Sequence, residues 1–133
     1  KLGLILQSTL YCDSTMQSGY ETIMSLPEEE MAEGIFCGSD AIAIGVLRAL
    51  HKRGIRIPED IRIIAVGNGD KEQEEYCIPS LSVIHLPMEA MAEECLSVLL
   101  DLMNGQISPP YSKELHFEYV PRESCGEISE QLM

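Results

Sequence analysis

Positive charge is scarce in this sequence. Nine Lys and Arg stand against 22 Asp and Glu, a formal net charge of −13 over 133 residues. The longest basic cluster is His51-Lys52-Arg53. A nucleic-acid backbone is gripped by clustered Lys and Arg, so direct binding to one is disfavoured. The acidity is spread through "EEE" (28–30), "EQEE" (72–75) and the C-terminal tail, and reads as solvated faces. Long apolar runs are missing too. None approaches the ~18 residues that a membrane span needs, so no membrane partner is expected. Lys1 opens the chain and no signal peptide follows, which suggests a mature product or an excised piece.

The usual metal and disulfide signals are also absent. Cysteines 12, 37, 77, 95 and 125 are odd in number and contain no CxxC pair, against a disulfide framework or a zinc site. Cys37 and Cys95 read as small hydrophobes. His51, His85 and His116 lie far apart and suggest no ligand pair. The combination points to a reducing, cytoplasmic setting with no metal and no cofactor. "GNGDKE" (67–72) is a Gly-rich turn, but it lacks both the GxGxxG spacing and the P-loop lysine-serine pair. "CGSDA" (37–41) offers a serine without a GxSxG elbow or an evident histidine partner. No catalytic residues are expected.

What is present is an alternation of apolar runs and helical patterns. "LGLIL" (2–6) is a candidate buried strand, and 15–26 has helical spacing stopped at Pro27. "GIFCG" (34–38) is the next strand candidate. A helix capped by Ser39 or Asp40 follows to Arg53, with Gly54 at its end. Its two apolar faces, one of Ile42, Val46, Ala49 and Leu50 and one of Ala43, Ile44 and Leu47, suggest cover on two sides. "IRIIAVG" (61–67) and "SLSVIHL" (80–86) are further strands. Over 88–104 the apolar residues Met88, Met91, Ala92, Cys95, Leu96, Leu99, Leu102 and Met103 mark the clearest helix. "ELHFEYV" (114–120) alternates as a last strand. Strands alternating with helices give an α/β fold with a mainly parallel sheet flanked by helices.

Ligands of such sheets bind beyond the carboxyl ends of the strands. Asp13, Ser39, Asp40, Asn68, Asp70 and His85 all lie at or just after those ends. Each has a structural alternative. Asp40 opens a helix and Asp70 can open a short one over "KEQEEY". Asn68 between two glycines suits a turn with positive φ. His85 can be a hydrogen-bonded structural histidine.

The stretch "IFCGSDAIAIGVLRALHKRGIRIPEDIRIIAVGNGD" (35–70) resembles the effector-binding module of lactose-repressor/galactose-repressor family regulators. That family runs strand, "(N/G/S)D-x-x-A-x-G", helix, "G-(I/L)-x-(I/V)-P-x-D", strand, "G-(Y/F)-D-(D/N)". "IPSLSVIHLP" and "YVPRES" resemble its later motifs. The resemblance implies an incomplete type I periplasmic-binding-protein-like fold. Residues 1–83 and 121–126 would belong to the second subdomain, and 84–120 would pack in the first. It implies a small-molecule effector, sugar-like or nucleobase-like, a homodimer, and operator DNA contacted only through a helix-turn-helix domain absent from this chain. It places Ser39 where relatives often have a ligand-binding asparagine, and Ser14 where several stack an aromatic on the ligand. His85 falls where sugar-binding relatives can place a glutamine. Gly69 replaces a sugar-binding aspartate, whose job could fall to Asp70 or Asn68. The dimer contact would involve Ile44, Leu47, Tyr76, Cys77 and Ile78. The helix over 88–104 would need another surface to cover Met91, Cys95, Leu99 and Leu102, with the 114–120 strand in the same contact. The rival readings are a solute-binding protein of a transport system and an α/β enzyme.

Overall fold

A computed structural model describes residue 3, residues 5–67 and residues 70–126. Among the described residues the α-helices and strands follow in chain order: α1 Met16–Ser25, β1 Gly34–Cys37, α2 Asp40–Lys52, β2 Arg62–Gly67, α3 Lys71–Tyr76, β3 Ser82–His85, α4 Met88–Met103 and β4 Glu118–Val120. The sheet order is β1-β2-β3-β4; the first three strands are parallel and β4 is antiparallel to β3. The reading of an α/β fold with a mainly parallel sheet flanked by helices holds.

Strand order and burial explain each other. Because side chains alternate across a strand, Cys37, Ile63, Ala65 and Val83 share one face of the sheet. All four are buried, packed with Ala43, Val46, Leu47 and Leu50 of α2 in the core. Parallel strands in sequential order need crossovers of one hand, so α2 and α3 come to the same face. The opposite face carries Phe36, 62% exposed, with Ile64, Val66 and Ile84 half-buried.

The two sides expected to be covered on α2 are both covered. The sheet takes one and α1 the other, with Ile23 buried and Tyr20 against the core. Arg53 at the end of α2 donates from one guanidinium nitrogen to the carbonyls of Ile23 (2.7 Å) and Leu26 (2.6 Å), satisfying the orphan end of α1. Leu47, expected in a dimer contact, is buried within the chain, while Ile44 is half-buried.

Two strand expectations are corrected. Residues 5–10 form no strand, and Ile5 is 90% exposed; Leu2 and Leu4 lie outside the described residues. Strand β4 covers only 118–120 of the expected 114–120. Its ladder ends at the His85–Glu118 pair, because β3 leaves the sheet at Leu86-Pro87 and offers residues 114–117 no partner. Helix α4 forms as expected but buries none of its residues; Met91, Cys95 and Leu99 are exposed and Leu102 is half-buried.

The connection into β2 is tied by Arg56 and Asp60. The Arg56 amide and Nε donate to Oδ2 of Asp60 (3.0 and 2.8 Å), and its second terminal nitrogen to Oδ1 at 2.5 Å. The guanidinium's hydrogen bonds hold the Asp60 carboxyl down at about 2, against an ordinary 3.8. A depressed carboxyl contributes stability above its unfolded value and loses it as pH falls through the folded one. The pair is exposed, so that contribution is small. An NMR titration should find Asp60 ionising near 2, and Arg56→Gln should return it toward the ordinary value. An unchanged midpoint in that variant would refute the assignment.

Candidate functional site

The register sets the geometry of the strand ends. Cys37, Ala65 and Val83 form one row across β1, β2 and β3, and Gly67 pairs with His85 one pleat further on. Ser39, extended at φ −153° and ψ 159°, continues β1 to that same level. The polar residues after β1, β2 and β3 therefore gather at one end of the sheet, where the chain turns into α2 and α3.

Two serines join two separate turns there. Ser14 Oγ donates to Ser39 Oγ at 3.0 Å, linking the loop before α1 to the loop before α2. Thr15 caps α1 by accepting the Ser18 amide at 3.1 Å. Ser39 caps α2 by accepting the Ile42 amide at 3.3 Å. Of the two expected caps, Ser39 and Asp40, the cap is Ser39. Asp40 is the first helical residue, buried, and its Oδ1 accepts the Ala41 amide at 2.7 Å. Its carboxylate still sits at the positive end of the helix dipole.

The other expected residues have distinct settings. Asp13 donates its amide to Ser18 Oγ at 3.0 Å and accepts the Thr15 amide through its carbonyl. It lines an open groove of about 630 Å³ with Tyr11, Cys12 and Glu21 along α1. Asp70 caps α3, accepting the Gln73 amide at 3.2 Å and the Gln73 side-chain amide. Asn68 and Gly69 lie outside the described residues. His85 is mostly buried, and its Nε2 is 2.7 Å from Glu74 Oε2. The structure thus brings Ser14, Ser39 and Asp40 together directly and engages His85 with a partner of its own chain.

Glu74 and Arg122 were not among the expected site residues. "EQEE" reads as a solvated acidic run, yet Glu74 is fully buried, reached by His85 and by Arg122 at 3.3 Å. A short helix capped at Asp70 must turn one residue of each turn to the sheet, and that phase is the signal that could have singled out Glu74.

Nucleophilic chemistry finds little support at these strand ends. Burial, with Cys12 adding to it, pushes the Cys37 thiol up to about 12, so it stays a packed thiol at neutral pH. Among the described residues no group of three or more His, Cys, Asp or Glu is placed to hold a metal ion. No described helix is long and apolar enough to cross a membrane.

A family model described as "Periplasmic binding protein-like domain" matches residues 1–125. The "HTH-type transcriptional repressor PurR" of Yersinia pestis bv. Antiqua is 32% identical over 116 residues, covering 86% of this chain and 33% of that protein. A LacI family transcription regulator from Clostridium acetobutylicum superimposes with a TM-score of 0.67 at 33% identity, over 84% of this chain and 42% of that one. The transcriptional regulator CelR, solved as a cellobiose complex, gives a TM-score of 0.71 at 27% identity, over 86% and 35%. The chain belongs to the periplasmic binding protein-like domain family, as part of the effector-binding module of a lactose-repressor-family regulator. It spans about a third of the length of the curated relatives it matches.

Proposed function

We propose that this chain is the distal part of a sensor that binds a small molecule reversibly, without catalysis, and passes the change in closure to a helix-turn-helix domain elsewhere in the protein. The observation that carries this reading is the Ser14–Ser39 hydrogen bond beside the buried Asp40 carboxylate, at the carboxyl ends of the parallel strands. Hydroxyls and a carboxylate suit a ligand rich in hydrogen-bond donors, sugar-like or nucleobase-like. The cellobiose held by the CelR relative fits that class. Asp13, Asp70 and His85 line or shape the same end of the sheet, and Asn68 belongs to the proposed set by its place after β2 in the sequence. Operator DNA is met only through the separate domain, a reading that the −13 charge of this chain supports. The working location is the cytoplasm.

Residues 1–83 and 121–126 form one subdomain in this reading, and 84–120 packs into the other. Helix α4, with no buried residue, is the segment that awaits that cover. Two copies meet through the opposite end of the sheet. There a groove of about 640 Å³ is lined by His51, Arg56, Ile57, Ile78 and Pro79, with Ile78 90% exposed.

The test is calorimetry and thermal shift on the full-length protein with ribose, cellobiose and nucleosides. A ligand at 100 times its Kd should stabilise by about 2.7 kcal/mol. For that ligand, Asp40→Asn should weaken binding by about tenfold, roughly one charge-assisted hydrogen bond. Absence of a shift with every probe, together with operator affinity indifferent to all of them, would overturn the sensing role.

A further inference from the structure

The segment carrying α4 is joined to the sheet by two crossings, and one buried carboxylate holds both. Outward, the chain leaves β3 at His85; on return it passes β4 and reaches Arg122. Glu74 Oε2 is 2.7 Å from His85 Nε2 and accepts from a terminal guanidinium nitrogen of Arg122 at 3.3 Å. That same nitrogen donates to the Leu81 carbonyl at 2.6 Å. Backbone pairing between the crossings runs over Val83–Val120, Ile84–Tyr119 and His85–Glu118; beyond it the Ser124 amide donates to the Ser80 carbonyl at 2.9 Å, and Ser82 Oγ accepts the Arg122 amide at 2.8 Å. No residue of α4 is buried within this chain, so among the described residues these crossings are what tie it to the sheet. Gly67 leaves the room needed: a Cβ there would stand 2.5 Å from Glu74 Oε1 and 2.7 Å from the His85 ring.

The carboxylate is incompletely used. Oε1 is buried and has no hydrogen-bond partner among the described residues, and Arg122 reaches Oε2 with one nitrogen at the long end of hydrogen bonding. An arginine fork can take both oxygens of a carboxylate. A setting in which Arg122 holds Oε1 as well would relieve the unmet buried acceptor.

We propose that Glu74, with His85 and Arg122, is a hinge latch. It couples the outgoing and returning crossings so that residues 86–117 swing as one unit between two settings, told apart by whether Arg122 holds one oxygen of Glu74 or both. The latch goes beyond effector sensing and does not need it.

Hydrogen exchange on the full-length protein without added ligand tests it. Glu74→Gln keeps the shape and removes the charge. Amide protection should fall by about tenfold at 84–87 and at 118–122 together, while β1 and α2 keep theirs. If Glu74→Gln does not fold, Arg122→Lys decides by the same readout: it keeps the charge, loses the fork, and should loosen 84–87 as well as its own crossing. Loosening at only one crossing, a uniform loss over the whole sheet, or unchanged protection at both would overturn the latch. No effector enters the measurement, so its failure leaves the sensing role standing, and a failed effector screen leaves the latch standing.

Discussion

Gly45→Val is expected to remove most of the stability of the α1–α2 unit. A Cβ at Gly45 would lie 1.9 Å from the Met16 carbonyl oxygen and 2.8 Å from the Tyr20 amide nitrogen. The approach is reciprocal, since a Cβ at Gly19 would lie 2.4 Å from the Ile42 carbonyl oxygen. These neighbours are backbone atoms of packed helices and cannot swing aside like a side chain. Overpacking a core costs about 1–3 kcal/mol where side chains can shift. Here α1 itself must move, taking Ile23 and Tyr20 from the core, so a loss of about 3 kcal/mol or more is expected. That is a large share of the ~5–15 kcal/mol of an ordinary domain. Gly38→Ala is the control, because nothing lies within 4 Å of a Cβ there. Chemical denaturation followed by circular dichroism should separate the two variants widely. Equal midpoints would show that the helices are not in the close contact described. The Ser14–Ser39 bond depends on the same contact, so partly folded variants should also lose ligand affinity.

Arg122→Ala is expected to cost about 3–5 kcal/mol, the usual penalty for leaving a buried charge without its partner. Glu74 would keep only His85, and the Leu81 carbonyl would lose its 2.6 Å donor. The neighbouring Glu123→Ala should cost far less. Its carboxylate accepts the Ser80 amide (2.8 Å) and hydroxyl (3.0 Å), but it is exposed. Glu74→Leu combined with Arg122→Met should recover much of the loss, because an apolar replacement leaves no stranded charge. Denaturation midpoints read all three. A mild Arg122→Ala would mean that water already reaches Glu74.

How much of this was legible in sequence depends on the range of the force involved. Local periodicity gave α1, α2 and α4 within a residue or so. β1, β2 and β3 were visible as short apolar runs ended by Gly or Pro turns. Pairing is not local, and there the reading failed. "ELHF" has a strand-like pattern, but β3 leaves the sheet after His85 and offers it no partner. The site divides in the same way. Ser39 as a helix cap follows from its place before an apolar helix, whereas its bond to Ser14 spans 25 residues and follows only from the fold. Glu72, Glu74 and Glu75 look alike in text, and only the phase of α3 against the sheet sends one of them inward. Helix α4 shows the converse: a strong apolar stripe forecasts burial without naming the surface that supplies it.

Strand β4 has a consequence for the order of assembly. Strands β1, β2 and β3 join neighbours along the chain and can dock as each is synthesised. A three-residue strand that pairs with β3 only after residues 86–117 have been made must close a long loop first. Chain entropy alone sets a cost of roughly 3 kcal/mol for a loop of about 30 residues. Against it stand three ladder positions, the Ser82–Ser124 bond at 2.8 Å and the Arg122 contacts. The returning crossing should therefore be the last part of the sheet to settle during synthesis and the first to let go under a pulling force. A nascent chain halted before Val120 would hold a three-stranded parallel sheet with β3 as a bare edge, open to a chaperone or to a strand of another molecule.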